Sequence, residues 1–305
     1  MNVDANYLAV VLNSTIRQTT PILYVALGSA LCNRVFIFNI GLEGTMLAGA
    51  FTAIVVNFYT GSVLLSLLGA MLSAMIVSWI AGIFMVKFKG AMLVVGVSIN
   101  MIISGLTTFL MQLIFGMKGA YVSNDLVALK KIDVSWLENS PILSRMFGSL
   151  TYVDLFAFVL AIILYIFLFK TVTGFHMRSV GINKPAAMSL GVNADRVQIA
   201  TIAFSGLLSG IGGCLLTMGG VTMFAQNITA GRGYIAMAAA TLGAAHPLGV
   251  VVASAFFGLA QSMANMLQNS SISSELTMAL PYLSTIFALA FYNIFQIRRM
   301  KASQQ

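Results

Sequence analysis

The chain alternates long apolar runs with short polar interruptions. Charge-free stretches cover 44–86, 90–117, 197–231, 233–274 and 276–297. Runs of about 18 residues or more are long enough to cross a hydrocarbon core. Membrane barrels alternate apolar and polar residues in short strands. These runs are continuously apolar, so the predicted spans are helices. Breaking them at charges and Pro/Gly clusters gives 18–33, 35–58, 62–86, 91–116, 153–170, 198–222, 233–245, 247–268 and 278–297. The first and seventh fall short of the roughly 20 residues a full crossing needs, which predicts tilted, broken or re-entrant segments. Residues 6–16 add a further partial element. The expected fold class is an all-α polytopic membrane protein, one transmembrane domain over 1–305 with about eight to ten spans.

Composition supports this reading. Hydrophobic residues make up 59% of the chain and charged residues only 8%, against about 25% charged in soluble domains. A surface with so few charges must face lipid. The net charge of +8 does not indicate nucleic acid, because the basic residues cluster in short loops as the positive-inside rule predicts. Lys87 and Lys89 share one such loop; Lys170, Arg178, Lys184 and Arg196 share another with Asp195; Arg298, Arg299 and Lys301 lie in the tail. All three regions, the C-terminus included, are expected on the cytoplasmic side. Between 118 and 154, Lys118, Lys130, Lys131 and Arg145 balance Asp125, Asp133, Glu138 and Asp154. This predicts an external loop over about 118–152, and parity then places the N-terminus outside. No cationic region precedes the first apolar run, so nothing argues for a cleaved signal.

The expected cytoplasmic loop, about 171–197, contains a miniature helix in NKPAAMSLG, residues 183–191. Asn183 is a good N-cap, Pro185 suits the first turn, and Gly191 is a natural residue just past the end. The helix is far too short to span. Ala186, Ala187 and Leu190 fall on one face by their spacing, which suits docking into another protein or lying on the bilayer surface.

Glu43, in NIGLEGTMLAGA, is the only charged side chain between Arg34 and Lys87. An ionised acid at the bilayer centre costs roughly 2.5–3.5 kcal/mol on insertion scales, so it requires a partner or water. Asn39, Gly41 and Gly44 around it suggest a helix start. Two readings stay open: a residue on a translocation path, or a structural acid bonded to backbone amides or to Arg34. Asn100 carries the same ambiguity between a pore-facing amide and a helix-joining one. Gly206 and Gly210 form a GxxxG step, which is a close-packing device. Arg232 opens an apolar segment, where it attracts polar substrates or snorkels to the interface. Cys32 and Cys214 read as buried small residues, and the methionines as packing or lipid-facing residues. His176 and His246 are too far apart in sequence to suggest a metal site. The chain has no Gly-Lys dipeptide and therefore no Walker A loop; HExxH, GxSxG and CxxC are missing too, so no enzyme signature emerges.

Four blocks then look familiar together: FNIGLEGTMLAGAF, VVGVSINMIISGLTTFL, VGINKPAAMSLGVNADRV followed by SGLLSGIGG, and TAGRGYIAMAAATLGAAHPLGV. They resemble permease subunits of bacterial ABC importers in the branch that carries nucleosides, simple sugars and branched-chain amino acids. The nearest likeness is to the shorter permease of guanosine-type uptake systems. The resemblance implies an inner-membrane permease paired with a second homologous permease and served by an external substrate-binding lipoprotein. Cytoplasmic ATPase subunits would hold ATP and magnesium, leaving no cofactor in this chain. The family's coupling segment maps onto Gly181 and the run Asn183, Pro185, Ala186, Ala187, Leu190 and Gly191. Asn39, Glu43 and Asn100 are the path candidates. AAHP at 244–247 departs from the turn common in nucleoside relatives, which leaves ribose-like sugars, purine bases and riboflavin open as cargo. An ion-coupled secondary transporter would be expected to carry more intramembrane charge than a single Glu. A membrane enzyme would need a nucleophile–base or metal constellation.

Overall fold

The structure, a computed structural model, describes residues 3–123, 125–133, 141–268 and 283. The expected span at 278–297 therefore lies outside the described residues, apart from Leu283. Eleven helices occur among the described residues: α1 Val3–Arg34, α2 Leu42–Thr60, α3 Val63–Val86, α4 Met92–Phe115, α5 Pro141–Phe147, α6 Tyr152–Lys170, α7 Val172–Ile182, α8 Lys184–Ser189, α9 Ala194–Met218, α10 Arg232–Leu242 and α11 Pro247–Leu267. Two three-residue strands, β1 (Ala120–Val122) and β2 (Met223–Ala225), pair antiparallel with Tyr121 opposite Phe224. Among the described residues six helices are long and apolar enough to cross a membrane: α2, α3, α4, α6, α9 and α11.

Several of the expected boundaries change, among them α9, which runs from Ala194 to Met218 where 198–222 was expected. The partial element at 6–16 and the span at 18–33 fuse into α1, a continuous helix of 32 residues. Asn13, Thr15, Arg17, Gln18, Thr19 and Thr20 dilute its apolar character and hide its continuity in the sequence. Thr15 and Thr19 return their hydroxyls to the carbonyls one turn earlier, so these side chains are satisfied inside the helix. The second span begins at Leu42 instead of 35, because residues 35–41 leave the helix in a tight turn. Ile37 N–H donates to the Cys32 carbonyl and Phe36 sits at φ +58°. Another change is at α10, which ends at Leu242 where residues to 245 were expected. Ala244 and Ala245 both adopt positive φ there, turning the chain into α11.

The core is built from α1, α2 and α9, with α3 against α9. Small residues allow this close packing, as expected from Gly206 and Gly210. A Cβ on Gly206 would lie 2.5 Å from the Ala74 carbonyl oxygen, and Gly210 rests on the Ala70 carbonyl. Gly49 approaches Gly210 and Gly28 approaches Ser205 in the same way, which brings α2 and α1 onto α9. By contrast α3 and α4 are mostly unburied, with Trp79, Phe84, Met101 and Phe109 exposed, as expected of faces turned to lipid or to another subunit.

The bundle has two distinct ends. At one, Arg34, Lys87, Lys89, Lys170 and the α7–α8 hairpin gather around the start of α9. At the other lie the β1–β2 ribbon, α5 and the start of α6. Asn57 at that end holds the 125–133 segment with two bonds, donating to the Val127 carbonyl and accepting from its N–H, each 2.9 Å. Thr151 and Asp154 form a reciprocal cap on α6, and Thr20 of α1 also donates to Asp154.

Candidate functional site

Two broken elements meet in the middle of the bundle, and Glu43 joins them. The non-helical segment 35–41 leads into α2, and residues 226–231 lead into α10. Glu43 stands in the first turn of α2. Its Oε1 accepts the N–H of Gly231 at 2.8 Å, and its Oε2 accepts the N–H of Gly233 at 2.7 Å. The carboxylate thus satisfies two otherwise orphaned amides at the start of α10, and the positive end of that helix stabilises its charge. Gly231 at φ +77° makes the tight entry, and a Cβ on Gly233 would lie 2.6 Å from the Glu43 Cα. Glycine is therefore required at 233 by contact alone.

Arg34, one of the partners considered for Glu43, binds elsewhere. Its Nε donates to the Ala245 carbonyl at 2.8 Å and its Nη2 to the Ala244 carbonyl at 3.3 Å. These carbonyls lie just past the C-terminus of α10, where a cation complements the helix dipole. The guanidinium also rests over the Phe169 ring, 5.5 Å from its centroid, and Arg178 rests at 5.1 Å from the same centroid.

Asn100 fixes the start of α2. Its Oδ1 accepts the Gly44 N–H at 2.7 Å, and its Nδ2 donates to the Ile40 carbonyl and to the Tyr234 hydroxyl, each at 3.0 Å. Asn39 is buried, its Nδ2 facing Ser205 Oγ at 3.4 Å and its Oδ1 accepting the Gly41 N–H. It shapes the break from behind and does not line the cavity in front.

That cavity has a volume of about 710 Å³. Glu43, Gly44 and Leu47 of α2 form one wall, and Val97, Asn100, Met101 and Ser104 of α4 another. The four α4 residues follow i, i+3, i+4 and i+7 spacing, one face of a helix. Asn227, Thr229, Ala230, Gly231 and Tyr234 close the third side. Ser104 Oγ lies 3.1 Å from Asn227 Oδ1. The cavity thus presents amide, hydroxyl and carboxylate groups on otherwise apolar walls. Sequence reasoning singled out Glu43 and Asn100 but missed Ser104, Asn227 and Tyr234. Ser104 lies one turn beyond Asn100, a signal present in the sequence. Asn227 and Tyr234 reach the cavity only through the chain break before α10.

At the basic end, Asn183 caps α8 by accepting the Ala186 N–H at 3.1 Å, Pro185 lies in the first turn, and Gly191 takes φ +83° just beyond Leu190. The three apolar residues all line one shallow groove, but they differ in burial. Ala187 is 2% exposed and packs between Val180 and Ala194, whereas Leu190 is 83% exposed. The helix is so short that its inner side is taken up by α7 and α9. The groove the three residues line, about 290 Å³, also takes in Phe175, Arg178 and Ile182, with Ala187 buried in it and Ala186 and Leu190 exposed. Gly181 lies directly against the Arg34 carbonyl, where no side chain fits. Lys184 Nζ pairs with Asp195 at 2.7 Å and donates to Gln198 Oε1 at 2.8 Å. Gln198 Nε2 then donates to the Val35 carbonyl at 2.9 Å, so α8 is bonded through one side chain to the 35–41 segment that leads into α2.

Other candidates stay apart from this site. His246 packs against Tyr165 and Phe169, Cys32 and Cys214 are buried free thiols, and among the described residues no group of three His, Cys, Asp or Glu side chains is arranged to hold a metal. Arg232 Nη1 lies within bonding distance of the Ile228 and Thr229 carbonyls.

A family model described as branched-chain amino acid transport system / permease component matches residues 11–289. The chain belongs to this permease family. The guanosine ABC transporter permease protein NupQ of Bacillus subtilis (strain 168) is 34% identical over 92% of this chain and 91% of its own length. The nucleoside ABC transporter permease protein NupC of Lactococcus lactis subsp. cremoris (strain MG1363) is 31% identical, covering 96% and 94%. The guanosine ABC transporter permease protein NupP of the same Bacillus strain is 26% identical, covering 92% and 81%. The protein is therefore a multi-pass ABC transporter permease subunit and not an enzyme in its own right.

Proposed function

We propose that this permease imports a nucleoside, and that the cavity between α2, α4 and α10 is its half of the path. The observation that carries this reading is the cavity's lining. Asn100, Ser104, Asn227 and Tyr234 offer amide and hydroxyl groups suited to the ring edges and sugar hydroxyls of an uncharged polar ligand. Its volume of about 710 Å³ lies within the roughly 300–1,000 Å³ usual for small-molecule sites. The likeness to guanosine and nucleoside permeases supports the same cargo class. Glu43 and Asn100 line this path, and Asn39 supports it from behind.

In this reading the other half of the path comes from a homologous permease seated on the exposed face of α4. Two guanosine permeases within one Bacillus strain favour such a pair. The basic end faces the cytoplasm of a bacterial cell, in its inner membrane, with the C-terminus on that side and the ribbon end outside. Cytoplasmic ATPase subunits hold ATP and magnesium and dock at the groove of Ala186 and Leu190. Their motion reaches the cavity along a bonded route: α8, Lys184, Gln198, Val35, the 35–41 segment and Glu43. An external substrate-binding lipoprotein delivers the ligand to the ribbon end.

Uptake of labelled guanosine by cells lacking this chain, with and without a restored copy, tests the proposal. Restored uptake that excess unlabelled nucleoside suppresses, and ribose, purine base or riboflavin does not, is the expected result. Suppression by one of those three would reassign the cargo. Uptake that survives loss of the ATPase would overturn ATP-driven import in favour of ion coupling.

A further inference from the structure

A second cavity, of about 600 Å³, opens between α6 and α9 at the basic end. Leu160, Leu164 and Phe167 of α6 and Ala200 and Phe204 of α9 line it, with Arg196 also in the lining and α1 and α7 contributing Leu31 and Met177. Thr201, also in the wall, spends its hydroxyl on the Val197 carbonyl, so the wall presents carbon. Both helices are apolar enough to span the membrane. From Leu160 to Phe167, and from Arg196 to Phe204, the groove runs about 10–12 Å along the helix axes. A groove with walls of this kind favours an apolar occupant.

Arg196 indicates what that is. It lies in the first turn of α9, where a cation opposes the helix dipole. The acid of that turn, Asp195, is committed to Lys184 at 2.7 Å. Among the described residues the Arg196 guanidinium has no hydrogen-bond or ion-pair partner of its own. The first turn of a long helix and an uncompensated arginine together favour an anion, beside the apolar groove that Arg196 helps to line. We infer that the α6–α9 groove binds a phospholipid with an acidic headgroup, its acyl chain along Leu164, Phe167 and Phe204 and its phosphate at Arg196. This site is separate from the transport cavity and does not depend on the identity of the cargo.

The test uses the assembled transporter in nanodiscs of equal phosphatidylglycerol and phosphatidylcholine, with the lipids it retains on release counted by native mass spectrometry. The wild type is expected to retain phosphatidylglycerol over phosphatidylcholine by about fivefold, the equivalent of one arginine near an anionic headgroup. Arg196→Gln should bring that ratio close to one while still retaining lipid. Ala200→Trp, on an exposed position, should lower retention of both lipids. A wild-type ratio near one, or a ratio that Arg196→Gln leaves unchanged, would overturn the headgroup assignment. Retention that Ala200→Trp leaves intact would overturn the groove, and release of a partner subunit by that variant would assign it to a protein helix.

Discussion

Arg34 and Glu43 hold opposite ends of the same helix. Arg34 donates to the carbonyls beyond the C-terminus of α10, and Glu43 accepts the amides at its start. Each charge has the sign that the helix dipole prefers. The 35–41 segment between them therefore runs alongside α10, and a short helix is clamped by both flanks of one break.

Glu43→Gln tests that clamp. Glutamine keeps the shape but offers one acceptor where two amides need one each, and its own NH2 then faces an N–H. Leaving a buried donor unpaired costs about 1–3 kcal/mol. We expect a lower melting temperature in detergent together with reduced uptake. Unchanged melting with lost uptake would show that the charge acts on the cargo rather than on α10.

Gly233→Ala places a Cβ 2.6 Å from the Glu43 Cα and 2.7 Å from its N. Backbone is harder to move than a side chain, so the cost should reach or exceed the roughly 1–3 kcal/mol usual for overpacking. The expected result is poor assembly, read as loss of a monodisperse peak after extraction. Gly105→Ala in α4, where the added carbon meets nothing within 4 Å, should leave that peak intact.

The two ends of the docking segment should respond differently. Leu190→Asp alters an exposed side chain, so the permease should assemble while ATP hydrolysis and uptake become uncoupled. Ala187→Asp buries a charge between Val180 and Ala194 and should destabilise the α7–α8 hairpin itself. Limited proteolysis separates them, with rapid cleavage near 183–191 expected only for Ala187→Asp. Normal coupling in Leu190→Asp would remove the groove from the docking role.

Gln198→Leu removes the side chain that links Lys184 to the Val35 carbonyl. Its loss leaves that carbonyl unsatisfied, at about 1–3 kcal/mol. Reconstituted transporter should still hydrolyse ATP but import several-fold less per ATP. A ratio equal to the wild type's would show that motion reaches α2 by another route.

Local chemistry was legible in the sequence. The caps of α8 and the Gly206–Gly210 packing step both follow from neighbours a few positions apart. The start of α2 was not, because VFIFNI is as apolar in an extended strand of chain as in a helix, and hydropathy cannot separate the two. The burial of Ala187 depends on α7 and α9, which no spacing within α8 encodes. The partners of Glu43 lie 188 and 190 positions away; a glycine-flanked acid shows that a partner is needed but not which amides supply it.

That separation bears on how the protein is made. Glu43 enters the membrane long before Gly231 and Gly233 leave the ribosome. At about 5–20 residues per second the wait is on the order of 10–40 s. Throughout it the carboxylate sits at the open start of α2 with α10 not yet synthesised. Asn100 arrives sooner and can close the amide of Gly44, but it gives the acid nothing. The nascent permease must therefore keep Glu43 hydrated or sheltered by the insertion machinery until α10 docks. A slow codon stretch or a truncation before residue 231 would leave an unpaired acid in lipid, marking the chain for quality control rather than assembly.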